Sequence, residues 1–263
     1  MTSTNDLRCP GSDPLSRVVP ELFQCLACNE EIEIWTDEVG GRCPSCKTYF
    51  KKIQLSNATT TPQNALNSYD AKLKQLIQNA QGSGATEAAI ISTRVIVVDD
   101  DLADKCREPR CENYGLSRSC PPHISGPTVF KEHLEEFSQA VFFKIDVPSE
   151  ILYSSERREL FQLLHEIAAG IEKSAIEMGF AHAQAYAGGS CKKVFCYDYP
   201  ECLALAGEGE CRNPGYARPS MSGFGINVAK LFETAGWNTG TNTHDAVSTA
   251  NKTASVCGLV LIY

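Results

Sequence analysis

The chain has 263 residues, 43% of them apolar and 21% charged, with a formal charge of −8. That length allows one large domain or one domain plus a small module, and the composition is that of an ordinary globular protein. The acidic balance gives no general attraction to nucleic acid or anionic membranes, and no apolar run approaches the roughly 20 residues needed to span a bilayer.

The first residues, MTSTNDLRCPGSD, lack the basic and apolar regions of a secretory signal, so a cytoplasmic setting is expected. Thirteen cysteines are the departure from the ordinary. In a reducing compartment, clustered cysteines read as metal ligands rather than disulfides, and the odd count also argues against a fully paired framework.

Residues 1–52 are rich in Cys, Gly and short strand-like runs such as Glu31-Ile-Glu-Ile-Trp35. Cys25-x2-Cys28 and Cys43-x2-Cys46 are two knuckles with 14 residues between them. Each knuckle folds a tight turn that presents two thiolates. The residues between are expected to form a hairpin joining them, and the four thiols suit one tetrahedral zinc. A module this small cannot build an adequate core, so the metal supplies folding energy. A single iron could use the same four thiolates. Four thiolates close the coordination shell, so this zinc ribbon is expected to be a scaffold or docking module rather than a catalyst. Cys9 stands apart from the set. Residues 53–63 are polar and Thr-rich and read as a linker.

From residue 64 to 263 helical and strand patterns alternate. Leu66, Tyr69, Leu73, Leu76 and Ile77 recur at helical spacing, and Gly82 and Gly84 close that helix. A strand is predicted over 88–99. Phe130, His133, Leu134 and Phe137 mark a short helix after Pro127, and 140–147 reads as a buried strand. The longest helix carries an apolar stripe from Leu160 to Met178, with Ser154 or Ser155 as N-cap and Gly179 as the stop. A half-buried strand over 181–187, a helix over 226–235 closed by Gly236, and a strand over 256–263 complete the chain. The expected fold is α/β (α+β): a small zinc ribbon, then a domain of about four strands with two long cysteine-rich loops, 101–126 and 188–220. Long loops without regular structure are uncommon unless functional.

The first loop carries Cys106, Cys111 and Cys120, spaced x4 and x8. The second carries Cys191, Cys196, Cys202 and Cys211, spaced x4, x5 and x8. Zinc knuckles use narrower gaps, whereas a [4Fe-4S] cluster spreads its ligands over a larger body, and plant-type ferredoxins already use an x4 gap. Zinc remains the alternative metal here. Lys105, Arg107, Arg110, Arg118, Lys192, Lys193 and Arg212 crowd these loops, either to balance thiolate and sulfide charge or as ordinary solvated surface. Four ligands complete one cluster. Three leave an iron to be closed by His123 or Cys257, or left open to substrate, and all seven could also be pooled around one cluster. An open iron implies Lewis-acid chemistry, and a fully ligated pair implies electron transfer. Gly223-Phe224-Gly225 starts a G-x-G pattern without its third glycine or preceding strand, so it carries no nucleotide site. Arg218, Ser220 and Met221 either line the second cluster or form a turn that positions the last helix.

At these residues the chain resembles the prokaryotic "predicted metal-binding protein" family, domain of unknown function 2284. The matching stretches are 106–122, with C-x4-C-x2-YG and SCPP, and 188–228, with GGSC, GECRNP, ARPSM and GFGINV. Weaker agreement extends the likeness over roughly 65–263. The resemblance implies a metal, with iron–sulfur the expected kind, and no established reaction. Members carry a tighter C-x2-C-x2-C run where this chain has Cys191, Cys196 and Cys202, which leaves the ligand pairing open. The ribbon is an added module.

Three functions follow as expectations. The first is an iron–sulfur electron carrier or reductive activator serving a redox partner protein. The second is an enzyme with an open-iron cluster acting on a small molecule, for example in desulfuration, with His123, Tyr114 or Arg118 as acid–base or anchoring groups. The third is a zinc protein with interaction roles only.

Overall fold

The structure is a computed structural model and describes residues 19–52, 62–237 and 253–263. Cys9 and residues 53–61 of the expected linker lie outside the described residues. The chain divides into two compact units, Met1–Leu66 and Asn67–Tyr263.

In the first unit β1 (Pro20–Gln24) pairs antiparallel with β2 (Glu31–Trp35), and β3 (Gly40–Arg42) with β4 (Tyr49–Lys51). The Glu-Ile-Glu-Ile-Trp alternation sends Ile32 and Ile34 inward, where they meet Phe50, Cys25 and Cys43. One expectation is corrected here. The segment between the knuckles is not a hairpin of its own; each knuckle is the tip of a separate hairpin. The reason is local, because a C-x2-C turn reverses the chain, so the strands flanking one knuckle pair with each other.

The second unit is built on one antiparallel sheet of order β5-β6-β8-β7: β5 (Glu87–Ser92), β6 (Gln139–Pro148), β7 (Ala183–Ala187) and β8 (Thr253–Ile262). Helices cover both faces. Val141, Phe143 and Ile145 of β6 face α1 (Pro62–Gly82), through Leu73, Leu76 and Ala80, and the long α4 (Arg157–Glu177), through Leu164, Ile167 and Ile171. Ala140 and Phe142 face the other way. They meet Phe130 and Leu134 of α3 (Gly126–Leu134), Leu231 and Phe232 of α7 (Val228–Ala235), and Tyr186 of β7. A strand covered on both sides is apolar at successive positions, which is why 140–147 shows no alternation. The class is α+β, since every pairing in this sheet is antiparallel. No helix among the described residues is long and apolar enough to cross a membrane.

Several boundaries differ from the sequence reading. The strand predicted over 88–99 ends at Ser92, where a 3-10 turn (Thr93–Val95) begins and the buried Thr93 hydroxyl donates to the Phe137 carbonyl at 2.6 Å. That bond turns the chain out of the sheet. Residue 99 then pairs with Gly225, whose φ of +71° suits glycine and where a Cβ would collide with the Asp99 carbonyl. Neither Ser154 nor Ser155 caps α4: Glu156 is the N-cap, and the Ser154 hydroxyl accepts from the Glu156 N–H just upstream. The last helix starts at Val228 rather than 226, with the Asn227 side chain accepting from the Lys230 N–H. The two long loops also hold regular pieces: α2 (Asp100–Asp104) in the first, and α5 (Cys191–Phe195), α6 (Leu203–Ala206) and a 3-10 turn (Met221–Phe224) after β7.

Candidate metal centres

Every described cysteine is a free thiol. In the first unit the two knuckles have the same construction. Cys25 N–H donates to the Glu30 carbonyl and Asn29 N–H to the Cys25 carbonyl. Likewise Cys43 N–H donates to the Thr48 carbonyl and Lys47 N–H to the Cys43 carbonyl. Asn29 and Lys47, each four residues after the first cysteine, take φ of 60° and 62°, closing the turns. The sulfurs of Cys25, Cys28, Cys43 and Cys46 all lie within 4.8 Å of one another. Cys25 and Cys46 are 3.4 Å apart, Cys28 and Cys43 3.5 Å. A zinc tetrahedron with metal–sulfur bonds of about 2.3 Å has edges of about 3.8 Å, so these thiols stand at ligand spacing. Backbone N–H groups of Ala27 and Cys46 point at the Cys25 and Cys43 sulfurs. Burial pushes the Cys25 and Cys43 thiols up. Burial also raises Cys46, but hydrogen bonding with the Thr48 side chain and backbone, with smaller help from Cys25 and Cys28, brings it down to about 7. The site is a zinc ribbon in geometry and donor set.

In the second unit the seven loop cysteines divide between two neighbouring pockets. Cys106, Cys111 and Cys120 line one of about 220 Å³, walled also by Tyr114, Arg157, Phe161 and Ser190. The loop that carries them is wound in tight turns, with Cys111 N–H donating to the Cys106 carbonyl and Gly115 N–H to the Pro121 carbonyl. Cys191, Cys196, Cys202 and Cys211 line a narrower cleft of about 20 Å³. The Asn213 N–H donates to the Cys211 sulfur at 3.4 Å, and its side-chain amide to Cys196 at 3.5 Å.

The two pockets are laced together. Cys120 meets the Ser190 hydroxyl at 3.4 Å and Cys191 meets the Ser119 hydroxyl at 3.2 Å, while Ser220 N–H donates to the Ser119 carbonyl. Each partner serine directly precedes the other loop's cysteine, in SRSC and GGSC, and nothing within either stretch shows that the two meet. Burial pushes the Cys191 thiol up to about 11 against the pull of Ser119 and Ser117, with Cys120 and Cys211 adding to the rise. Burial, then Cys111 and Cys120, also raises Cys106. Thiols crowded in this way ionise when a cation joins them.

The remaining candidates are placed as follows. His123 is exposed, and neither it nor Arg118 lines either pocket. Cys257 is buried with Phe142 and Leu259 in the layer on the far face of the sheet, where burial pushes its thiol up to about 12. Among the basic residues, Lys192 is buried, with its ammonium donating to the Cys196 and Tyr199 carbonyls, so it braces the cysteine loop from beneath. Arg212 sits over the Tyr199 ring and donates to the Glu201 carbonyl. Arg107 pairs with Asp104, and Arg110 lies over Tyr114. Arg218 forms an ion pair with Glu172 of α4 at 2.5 Å and donates to the Pro214 and Gly215 carbonyls, so it pins the turn rather than lining a pocket. Met221 is core, and Ser220 lines the three-cysteine pocket.

The room available differs between the pockets. The three-cysteine pocket is the roomier and offers three thiols. The four-cysteine cleft is the narrower of the two and offers four thiols.

Cysteine-lined pockets on an α+β scaffold, with a four-thiol ribbon beside them in sequence, define a metal-binding protein. Residues 89–262 match the family model described as "Predicted metal-binding protein (DUF2284)", and the chain belongs to that family. No curated protein and no solved structure matches the chain.

Proposed function

We propose that this protein is an iron–sulfur oxidoreductase whose three-cysteine pocket holds a [4Fe-4S] cluster with one iron open to substrate. Cys106, Cys111 and Cys120 would be its ligands. Such a cluster supplies electrons and a Lewis-acid position when bound. Around it, Ser190 and Ser220 offer hydroxyls, Tyr114 a phenol and Arg157 a fixed cation, while Phe161 shields one wall. Cys191, Cys196, Cys202 and Cys211 would hold a second metal with a closed thiolate shell, in the role of relay or brace. The ribbon carries a structural zinc.

The observation that carries this reading is the division of seven cysteines into an open three-thiol pocket and a narrow four-thiol cleft. A carrier that only passes electrons to a partner enzyme is the second reading, favoured by the direct lacing of the two sets through Ser119 and Ser190. Iron, acid-labile sulfide and zinc are measured on protein purified without oxygen. Zinc with neither iron nor sulfide sinks both iron readings and leaves a zinc interaction protein. If a cluster is present, adding small thiolate or cyanide ligands to the reduced protein separates the two. A changed paramagnetic signal marks an open iron, and an unchanged one marks a carrier.

A further inference from the structure

We propose that a second cavity, opening beside the three-cysteine pocket, binds the carboxylate or phosphate group of a small organic anion and holds that molecule against the pocket. The last clause rests on the open-iron reading above; the binding of the anion does not.

The cavity measures about 460 Å³, within the usual range for small-molecule sites. Arg157, Arg158 and Lys193 line it against one acid, Glu112, an excess of positive charge in a chain of net charge −8. Glu112 already acts as a stand-in for the ligand. One of its oxygens lies 3.9 Å from Arg157 Nη1 and the other 3.8 Å from Lys193 Nζ, both too long for tight pairs, with all three side chains about half exposed. An oxyanion thus sits between two cations without a close pair to either. Arg158 is held more firmly, donating from Nε to the Val194 carbonyl at 3.0 Å and stacked over Tyr197. Its remaining guanidinium donors keep the planar fork that suits carboxylate and phosphate. The first turn of α4, where both arginines stand, adds the partial positive charge of a helix N-terminus.

The cavity is continuous with the cysteine pocket. Asn113, Arg157, Phe161, Gly189 and Ser190 line both. Gly189, with φ of +81°, lets the backbone pass against Phe161, where a Cβ would lie 2.7 Å from the ring. A molecule anchored by its anionic end among the cations therefore has an apolar wall at Phe161 leading to Cys106, Cys111 and Cys120.

The test uses the full chain purified without oxygen. It is titrated calorimetrically with inorganic phosphate and, separately, with malonate, at ionic strength held constant with sodium chloride. Saturable binding of at least one anion is expected. It should weaken about tenfold or more in Arg158→Gln and Lys193→Gln and strengthen severalfold in Glu112→Gln, which removes the internal competitor and leaves the cations in place. Phosphate alone binding would assign a phosphorylated ligand, and malonate alone a carboxylic acid. No saturable binding in the wild type, or three variants that bind like the wild type, overturns the proposal. Iron and sulfide are measured on the same sample. Anion binding without iron supports the anion site while sinking the open-iron reading, and iron without anion binding does the reverse.

Discussion

His165 shows how a single side chain ties a cysteine loop to the core. It sits fully buried on α4, its Nδ1 accepts from the Arg218 N–H at 3.2 Å, and burial, with the Arg218 charge second, lowers its pKa to about 4. The folded protein thus holds it neutral, whereas the unfolded chain protonates it near pH 6.5. As pH falls from about 6.5 to 4, the unfolded state takes up a proton the native state refuses, so stability is lost across that window. The stability difference between wild type and His165→Gln, followed by denaturant unfolding, should shrink by up to about 3 kcal/mol from pH 7 to pH 4. Metal release in acid affects both proteins and cancels in the difference. The sequence shows His165 within the long helix, but its partner is 53 residues away and only folding brings it near. Gly189 is a second case. Its positive φ and the Phe161 ring leave no room for a methyl, so Gly189→Ala should cost about 2–4 kcal/mol in denaturant unfolding and lower the metal retained by the loop pockets.

At the scale of elements, the ribbon hairpins are short and their core is small, with Ile32, Ile34 and Phe50 as its large side chains. Such a core cannot offset the chain entropy of its strands, so the metal must hold them. Cys43→Ser, or a strong chelator, should abolish hydrogen-exchange protection in β1 to β4 and leave β5 to β8 protected. Loss of protection in both sets would contradict independent support of the two units. The ribbon was legible because its ligands are local and regularly spaced. The hairpin pairing was not, because spacing identifies which thiols meet without saying which strand each turn returns to. In the second unit the apolar stripes located α4 and all four strands. The end of β5 escaped detection because Val95, Ile96, Val97 and Val98 continue a strand-like run, while the Thr93 hydrogen bond to Phe137 turns the backbone away.

For the whole molecule, the four-plus-three division of the loop cysteines predicts separable losses. Cys111→Ser should remove the metal of the open pocket and leave that of the cleft, and Cys202→Ser should do the opposite. Elemental analysis of both variants beside the wild type checks this. Equal loss of all non-ribbon metal in each variant would instead indicate one pooled centre.

The sequence by itself determined that metal is central to this protein, which four thiols form the ribbon, and which residues form the main helices and strands. Those properties depend on spacing, periodicity and side-chain chemistry within short stretches. Only the tertiary structure decided that Ser119 and Ser190 cross-link the two cysteine loops, that Cys257 belongs to the core, and that Arg157, Arg158 and Lys193 converge on a cavity beside the open pocket. These contacts join residues tens of positions apart, and their partners are chosen by the antiparallel sheet and the helices packed on it, not by any local pattern.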